Sequence, residues 1–127
     1  MEQLEIPTFI ETIDEFEIYF TPLVEYNTIE GSMDDELAKD TIERVESGEL
    51  VWFCAKVTAW KAGVELGEEY LGSCCYESFK DFYTTYKEDY YADMRDRAIS
   101  QGKAKIKRLL NDPSQSALSA IKDNLNG

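Results

Sequence analysis

A chain of 127 residues sets the scale of one domain, read here as 1–127. It carries 26 Asp and Glu against 13 Lys and Arg, a net charge of −13, yet 43% of it is hydrophobic and 13% aromatic, enough to build a core and to exclude a disordered acidic chain. Such a surface repels nucleic acid and anionic membrane and attracts basic protein surfaces, with simple solubility as the competing explanation.

From the N-terminus, Thr8 and Glu11 after Pro7 have the spacing of a capping box, the signature of a short helix start. Phe16, Ile18 and Phe20 then alternate with Glu15, Glu17 and Tyr19, which predicts a half-buried strand over about 14–20 with an acidic outer face. Pro22 is expected to limit its use as a central strand. Residues 26–32 read as a loop, and Ser32 as the N-cap of a helix over about 33–47, with Asp34, Asp35 and Glu36 in its first turn and Leu37, Ala38, Thr41, Ile42 and Val45 on one face. Glu36, Asp40 and Glu43 form an acidic stripe on the outer side, and Gly48 is the stop.

The clearest strand is 50–60. Val51, Phe53, Ala55, Val57 and Ala59 make an apolar face, and Leu50, Trp52, Cys54, Lys56, Thr58 and Trp60 a mixed one. Lys61-Ala62-Gly63 supplies a turn in which Gly63 takes positive φ, and 64–71 returns as a second hairpin strand bearing Glu65, Glu68 and Glu69. Gly72-Ser73-Cys74-Cys75 reads as a small-residue connection. Phe79, Phe82, Tyr83, Tyr86 and Tyr90 recur at helical spacing, followed by a second stripe of Tyr91, Met94, Ala98, Gly102, Ile106 and Leu109. The shift between them predicts two helices, or one kinked helix, over about 77–110, with the break near 84–89. Asn111-Asp112-Pro113 ends the run. Residues 112–127 read as a short terminal helix or a frayed tail. The fold class expected is α+β, a small, mainly antiparallel sheet packed against helices.

Charge is unevenly placed: residues 1–94 carry 23 acids and 6 bases, a net −17, and residues 95–127 a net +4. The chain holds no histidine, the commonest general base and zinc ligand, which disfavours triad hydrolases. It has no Gly-rich phosphate loop and no EF-hand loop. Asp34-Asp35 and Glu68-Glu69 are carboxylate pairs that read as surface acids in preference to a metal site. Neither catalytic residues, nor a metal, nor a cofactor is expected. Cys54, Cys74 and Cys75 are odd in number, and two are adjacent, which suits buried structural thiols better than a secreted disulfide framework. No apolar run approaches the ~20 residues needed to span a bilayer, and Met1-Glu2-Gln3-Leu4-Glu5 lacks a signal peptide's basic region. The expected compartment is a reducing cytoplasm. The aromatics, Trp52, Trp60 and Tyr70 among them, default to core packing, with some tyrosines at a protein interface. Lys103, Lys105, Lys107 and Arg108 read as the cationic end of a helix.

Gly48-Glu49-Leu50-Val51-Trp52-Phe53, Ala62-Gly63-Val64-Glu65-Leu66-Gly67, Tyr70-Leu71-Gly72-Ser73-Cys74-Cys75-Tyr76-Glu77-Ser78 and Tyr90-Tyr91-Ala92-Asp93-Met94 together resemble a group of small acidic proteins of phage and mobile-element genomes. The resemblance covers about residues 48–110. That group has no assigned chemistry, so it implies a genomic context and transfers no functional residue. Small acidic proteins of that context include anti-restriction and anti-CRISPR inhibitors, several of which imitate the charge of DNA. The function expected is therefore a protein-binding inhibitor of a nucleic-acid-handling host defence enzyme, acting in the host cytoplasm. Glu15, Glu17, Asp34, Asp35, Glu36, Asp40, Glu43, Glu65, Glu68 and Glu69 would supply the face that meets a basic protein surface. An immunity protein against a basic nuclease toxin, a nucleotide or small-molecule binder, and a virion-associated protein are the alternatives.

Overall fold

A computed structural model describes residues 2–84 and 90–111. Four antiparallel strands, β1 (Thr8–Ile13), β2 (Phe16–Leu23), β3 (Val51–Lys61) and β4 (Val64–Tyr76), form one sheet in the order β1-β2-β3-β4. Helix α1 (Asp35–Glu46) connects β2 to β3, and α2 (Phe79–Thr84) and α3 (Tyr90–Leu110) follow β4. This is the α+β class that the sequence predicts. The expected break at 84–89 and the expected terminal helix or tail at 112–127 fall largely or wholly outside the described residues.

The N-terminal segment departs from expectation. Thr8–Ile13 is a strand and not the start of a helix, because its backbone groups pair with β2 and its Ile10 and Ile13 reach the core. The strand expected at 14–20 begins at Phe16 instead. Asp14 and Glu15 are a two-residue turn with φ of 52° and 70°, closed by the Ile13–Phe16 pair. Positive φ at both turn residues is the hairpin geometry whose twist matches the strands it joins. The second hairpin turn is alike, with φ of 54° at Ala62 and 74° at Gly63, as the sequence foresaw for Gly63.

Pro22 does not end β2 and is fully buried within it. Its carbonyl accepts from the backbone N–H of Leu4 at 2.8 Å, so the N–H it lacks would point to the same side, away from β3. The ladder to β3 therefore loses nothing. β4 likewise runs past its expected end at 71 to Tyr76. Gly72–Cys75 belongs to the strand and contains a register shift, with Ser73 at φ 56°. The Glu25 carboxylate holds this bulge, accepting from the Ser73 N–H at 2.5 Å and the Asn27 N–H at 2.9 Å. The N-cap of α1 is Asp34, which accepts from Leu37 N–H, and not Ser32, whose hydroxyl donates to the Thr28 carbonyl.

One sheet face is covered by the C-terminal helices. Phe16, Ile18 and Phe20 of β2 join Phe53, Ala55, Val57 and Ala59 of β3, and against them pack Phe82, Tyr91, Met94, Ala98 and Ile99. Phe53 sits edge-on to Phe20, Phe79 and Phe82 at centroid distances of 5.0–6.1 Å. Of the predicted second stripe, Tyr91, Met94, Ala98 and Gly102 are buried and Ile106 and Leu109 half-buried, while Tyr90, the last residue of the predicted first stripe, is exposed. Two glycines allow α3 to lie close. A Cβ on Gly67 would stand 1.9 Å from the Ala98 carbonyl oxygen, and one on Gly102 would stand 2.6 Å from the Phe16 ring. Behind them Tyr91 donates to Glu11, which also receives Arg95 at 3.2 Å, fastening α3 to the edge strand.

Candidate functional site

Among the described residues the other sheet face lies open over much of its area. Strand alternation and the register place three rows of side chains on it. One row reads Glu17–Trp60–Glu65 across β2, β3 and β4, the next Tyr19–Thr58–Glu68, and the third Thr21–Lys56–Tyr70. Cross-strand neighbours of this kind have Cβ atoms about 5 Å apart. The β2 and β3 members of these rows, with Glu65 of β4, line a cavity of about 360 Å³, which Gln3 and Pro7 of the N-terminal segment also border.

The rings on this face are held in place. Trp60 Nε1 donates to Thr58 Oγ1 at 3.0 Å. Tyr19 stands edge-on to Phe9 at 5.6 Å and to Trp60 at 6.2 Å between centroids. The Tyr19 and Tyr70 hydroxyls donate to Glu17 and Glu68 at 3.3 and 3.2 Å. Desolvation first, and the adjacent Glu17 second, push the Tyr19 phenol above its ordinary range; desolvation does the same for Tyr70. Both therefore remain donors near neutral pH. Lys56 is half-buried, with its Nζ 3.9 Å from Glu65 and 5.6 Å from the Tyr70 ring centroid. Thr21 is only 3% exposed. It lines the same cavity, and its hydroxyl engages no other side chain or carbonyl among the described residues.

The ten acids expected to form one face are divided among four places. Asp34, Asp35, Glu36, Asp40 and Glu43 lie together on α1 and are all exposed. Among the described residues Asp35, Glu36, Asp40 and Glu43 make no ion pair, since Arg44 bonds Glu49 at 3.0 Å instead. Glu17, Glu65 and Glu68 sit on the open sheet face. Glu15 is in the first hairpin turn, paired with Lys61 at 2.9 Å, and Glu69 points to the helix side, where Gln101 Nε2 donates to it at 2.7 Å. The single expected face is thus not assembled: a two-residue strand period sends Glu68 and Glu69 to opposite sides of the sheet.

Sequence reasoning assigned Trp60 and Tyr70 to the core by default, and the structure puts both on the open face. The signal was present in β3, where Trp60 alternates with the apolar set Val57 and Ala59. What the sequence does not show is that, among the described residues, no helix covers this end of that face. Helix α1 lies towards the other end, where the Arg44 charge reaches the Cys75 thiol and where Leu23 and Cys54 are buried. Burial pushes the thiols of Cys54 and Cys75 upward, which leaves little thiolate at neutral pH. Among the described residues no three acids or cysteines are grouped to hold a metal ion, and no helix is long and apolar enough to cross a membrane. No protein-family model, curated protein or solved structure matches the chain.

Proposed function

We propose that this protein is a binding module that inhibits a nucleic-acid-handling enzyme by occupying its basic surface, with α1 as the leading contact. The observation that carries this reading is the stripe Glu36, Asp40 and Glu43: three exposed carboxylates, without ion pairs among the described residues, on one side of a helix whose N-cap, Asp34, adds a fourth negative charge. At 1.5 Å rise per residue the stripe spans about 10.5 Å, one charge per roughly 5 Å, of the same order as the phosphates of one DNA strand at ~3.4 Å. A groove built to neutralise phosphates would meet these carboxylates with the same lysines and arginines, and would release the same counterions. The resemblance to acidic proteins of phage and mobile-element genomes supports the choice of target.

The test is capture from nuclease-treated bacterial lysate by the full chain and by the charge-reversed variant E36K/D40K/E43K, with elution at increasing salt and identification by mass spectrometry. The proposal expects a nucleic-acid-handling enzyme on the wild-type column that elutes as salt rises from about 0.1 to 0.5 M, is absent from the variant column, and loses activity when the purified wild-type protein is added. Equal retention by the variant at unchanged thermal stability would remove α1 as the contact.

A further inference from the structure

We infer that the cavity on the open sheet face is a receptor for an arginine side chain of a basic peptide segment, with the guanidinium laid on the Trp60 indole between Glu17 and Glu65. The inference deepens the reading of the protein as a binder of a basic partner, and rests on it, but it places a specific pocket away from α1.

Four observations lead there. The first is the row itself: Trp60 is the direct cross-strand neighbour of both carboxylates, so a cation over the indole has an anion within reach on each side. Indole is the strongest of the side-chain π faces for a cation, and a planar guanidinium both stacks on such a face and bonds carboxylates through its forked N–H groups. The second is that the indole is fixed by its bond to Thr58 and flanked by Tyr19, so little ordering remains to be done on binding.

The third is the local charge. The cavity lining carries Glu17 and Glu65 against Lys56, because Lys61 turns to the other side, over the Phe16 ring and onto Glu15, while Glu65 also shares a neighbouring hollow with Lys105 and Arg108 of α3. Lys56 is itself held by the Tyr70 ring and Glu65. The fourth is Thr21, a residue only 3% exposed that lines the cavity; its hydroxyl has no partner among the described residues and, since no buried side-chain oxygen there lacks one, it opens to the cavity. It lies four residues along β2 from Glu17, about 13 Å at the rise of a strand, farther than one extended arginine side chain reaches. A single cation would not reach it, whereas a short peptide would. The cavity, about 360 Å³, is at the small end of ligand pockets and suits one side chain with a stretch of main chain.

The probe is an acetylated, amidated Gly-Arg-Gly-Arg-Gly peptide, with its lysine counterpart as comparison, titrated into the full-length protein at about 0.15 M salt, where long-range attraction is screened beyond ~8 Å. The readout is the NMR signal of the Trp60 indole N–H, distinguished from that of Trp52 by a W60F sample. The arginine peptide should move the Trp60 signal saturably and bind more tightly than the lysine peptide. E17Q/E65Q, whose substituted side chains keep their size and whose fold is checked by circular dichroism, should weaken binding about tenfold or more. E36K/D40K/E43K should leave the Trp60 titration within about threefold, since α1 acts at this pocket only through screened charge. A Trp60 signal that does not move, or an affinity unchanged in E17Q/E65Q, overturns the pocket. Loss of peptide binding in the α1 variant together with retention in E17Q/E65Q also overturns it, and places the cation on α1. Failure of the α1 variant to affect capture of the large partner bears on the proposed function and not on this site.

Discussion

Replacing Gly67 with alanine tests whether α3 and the sheet meet backbone to backbone. The added Cβ would stand 1.9 Å from the Ala98 carbonyl oxygen, 2.8 Å from its carbonyl carbon and 3.1 Å from its Cα. Ordinary contact between such atoms begins near 3.5 Å, so the shortfall at the oxygen is about 1.6 Å. None of the three atoms belongs to a side chain, and no rotamer change relieves the clash. Either β4 bends at Gly67 or α3 lifts by more than 1 Å along the length where Tyr91, Met94, Ala98 and Ile99 are buried against the sheet. Overpacking of a core usually costs about 1–3 kcal/mol and occasionally more; a clash with fixed backbone belongs at the top of that range, about 3 kcal/mol. For a chain of this length each kcal/mol is worth roughly 4 °C, so the midpoint of thermal unfolding should fall by about 12 °C. Circular dichroism and urea titration of G67A would measure it. G63A is the internal control: Gly63 has φ 74° with nothing within 4 Å of the added Cβ, so its loss is confined to left-handed strain, about 1–2 kcal/mol. A G67A loss no larger than that of G63A would refute the close approach of α3 on which the covered face depends.

Two further stability measurements probe the network around the sheet. Tyr91 is buried and donates to Glu11, and burial first, with the Glu11 carboxylate second, holds its phenol far above the ordinary tyrosine range. A raised pKa in the fold stabilises the folded state below the unfolded value of about 10, and this contribution is lost as pH rises above it. The wild type should therefore exceed Y91F in stability by about 1 kcal/mol at neutral pH, and that margin should shrink from about pH 10 upward; a margin independent of pH would refute the assignment. D34A removes the side-chain acceptor of the Leu37 N–H at the start of α1, and should cost about 1 kcal/mol by urea titration. S32A, which the structure places outside the cap, should cost less than D34A, and the reverse ranking would restore Ser32 as the cap.

Much of the architecture is legible because burial leaves a periodic trace. The five apolar residues of β3 that alternate from Val51 to Ala59 fix that strand and its buried face, and the stripe from Tyr91 to Leu109 fixes the face of α3. Gly63 announces the second hairpin. The first hairpin carries no such mark, since Asp14 and Glu15 take positive φ without glycine or asparagine, and the acidic, β-branched stretch before them has the spacing of a helix cap. Pro22 misleads for a related reason: its cost depends on which neighbour its missing N–H would have faced, and that is a property of the ladder. The binding face is divided in the same way. The identity of the acids is local, but whether Glu17 and Glu65 stand beside Trp60 is decided by a register that spans more than forty residues.

By itself, therefore, the sequence determined the α+β class, the apolar surfaces of β3 and α3, the acidic stripe of α1 and the absence of histidine chemistry, because these depend on the order and kind of neighbouring residues. Tertiary structure alone decided that the sheet has a fourth strand, that among the described residues one sheet face stays open beyond α1, and that an indole there lies between two carboxylates. Those features arise from pairing between distant segments, whose partners become fixed only when the hydrogen bonds of the ladder and the packing of α3 are satisfied together.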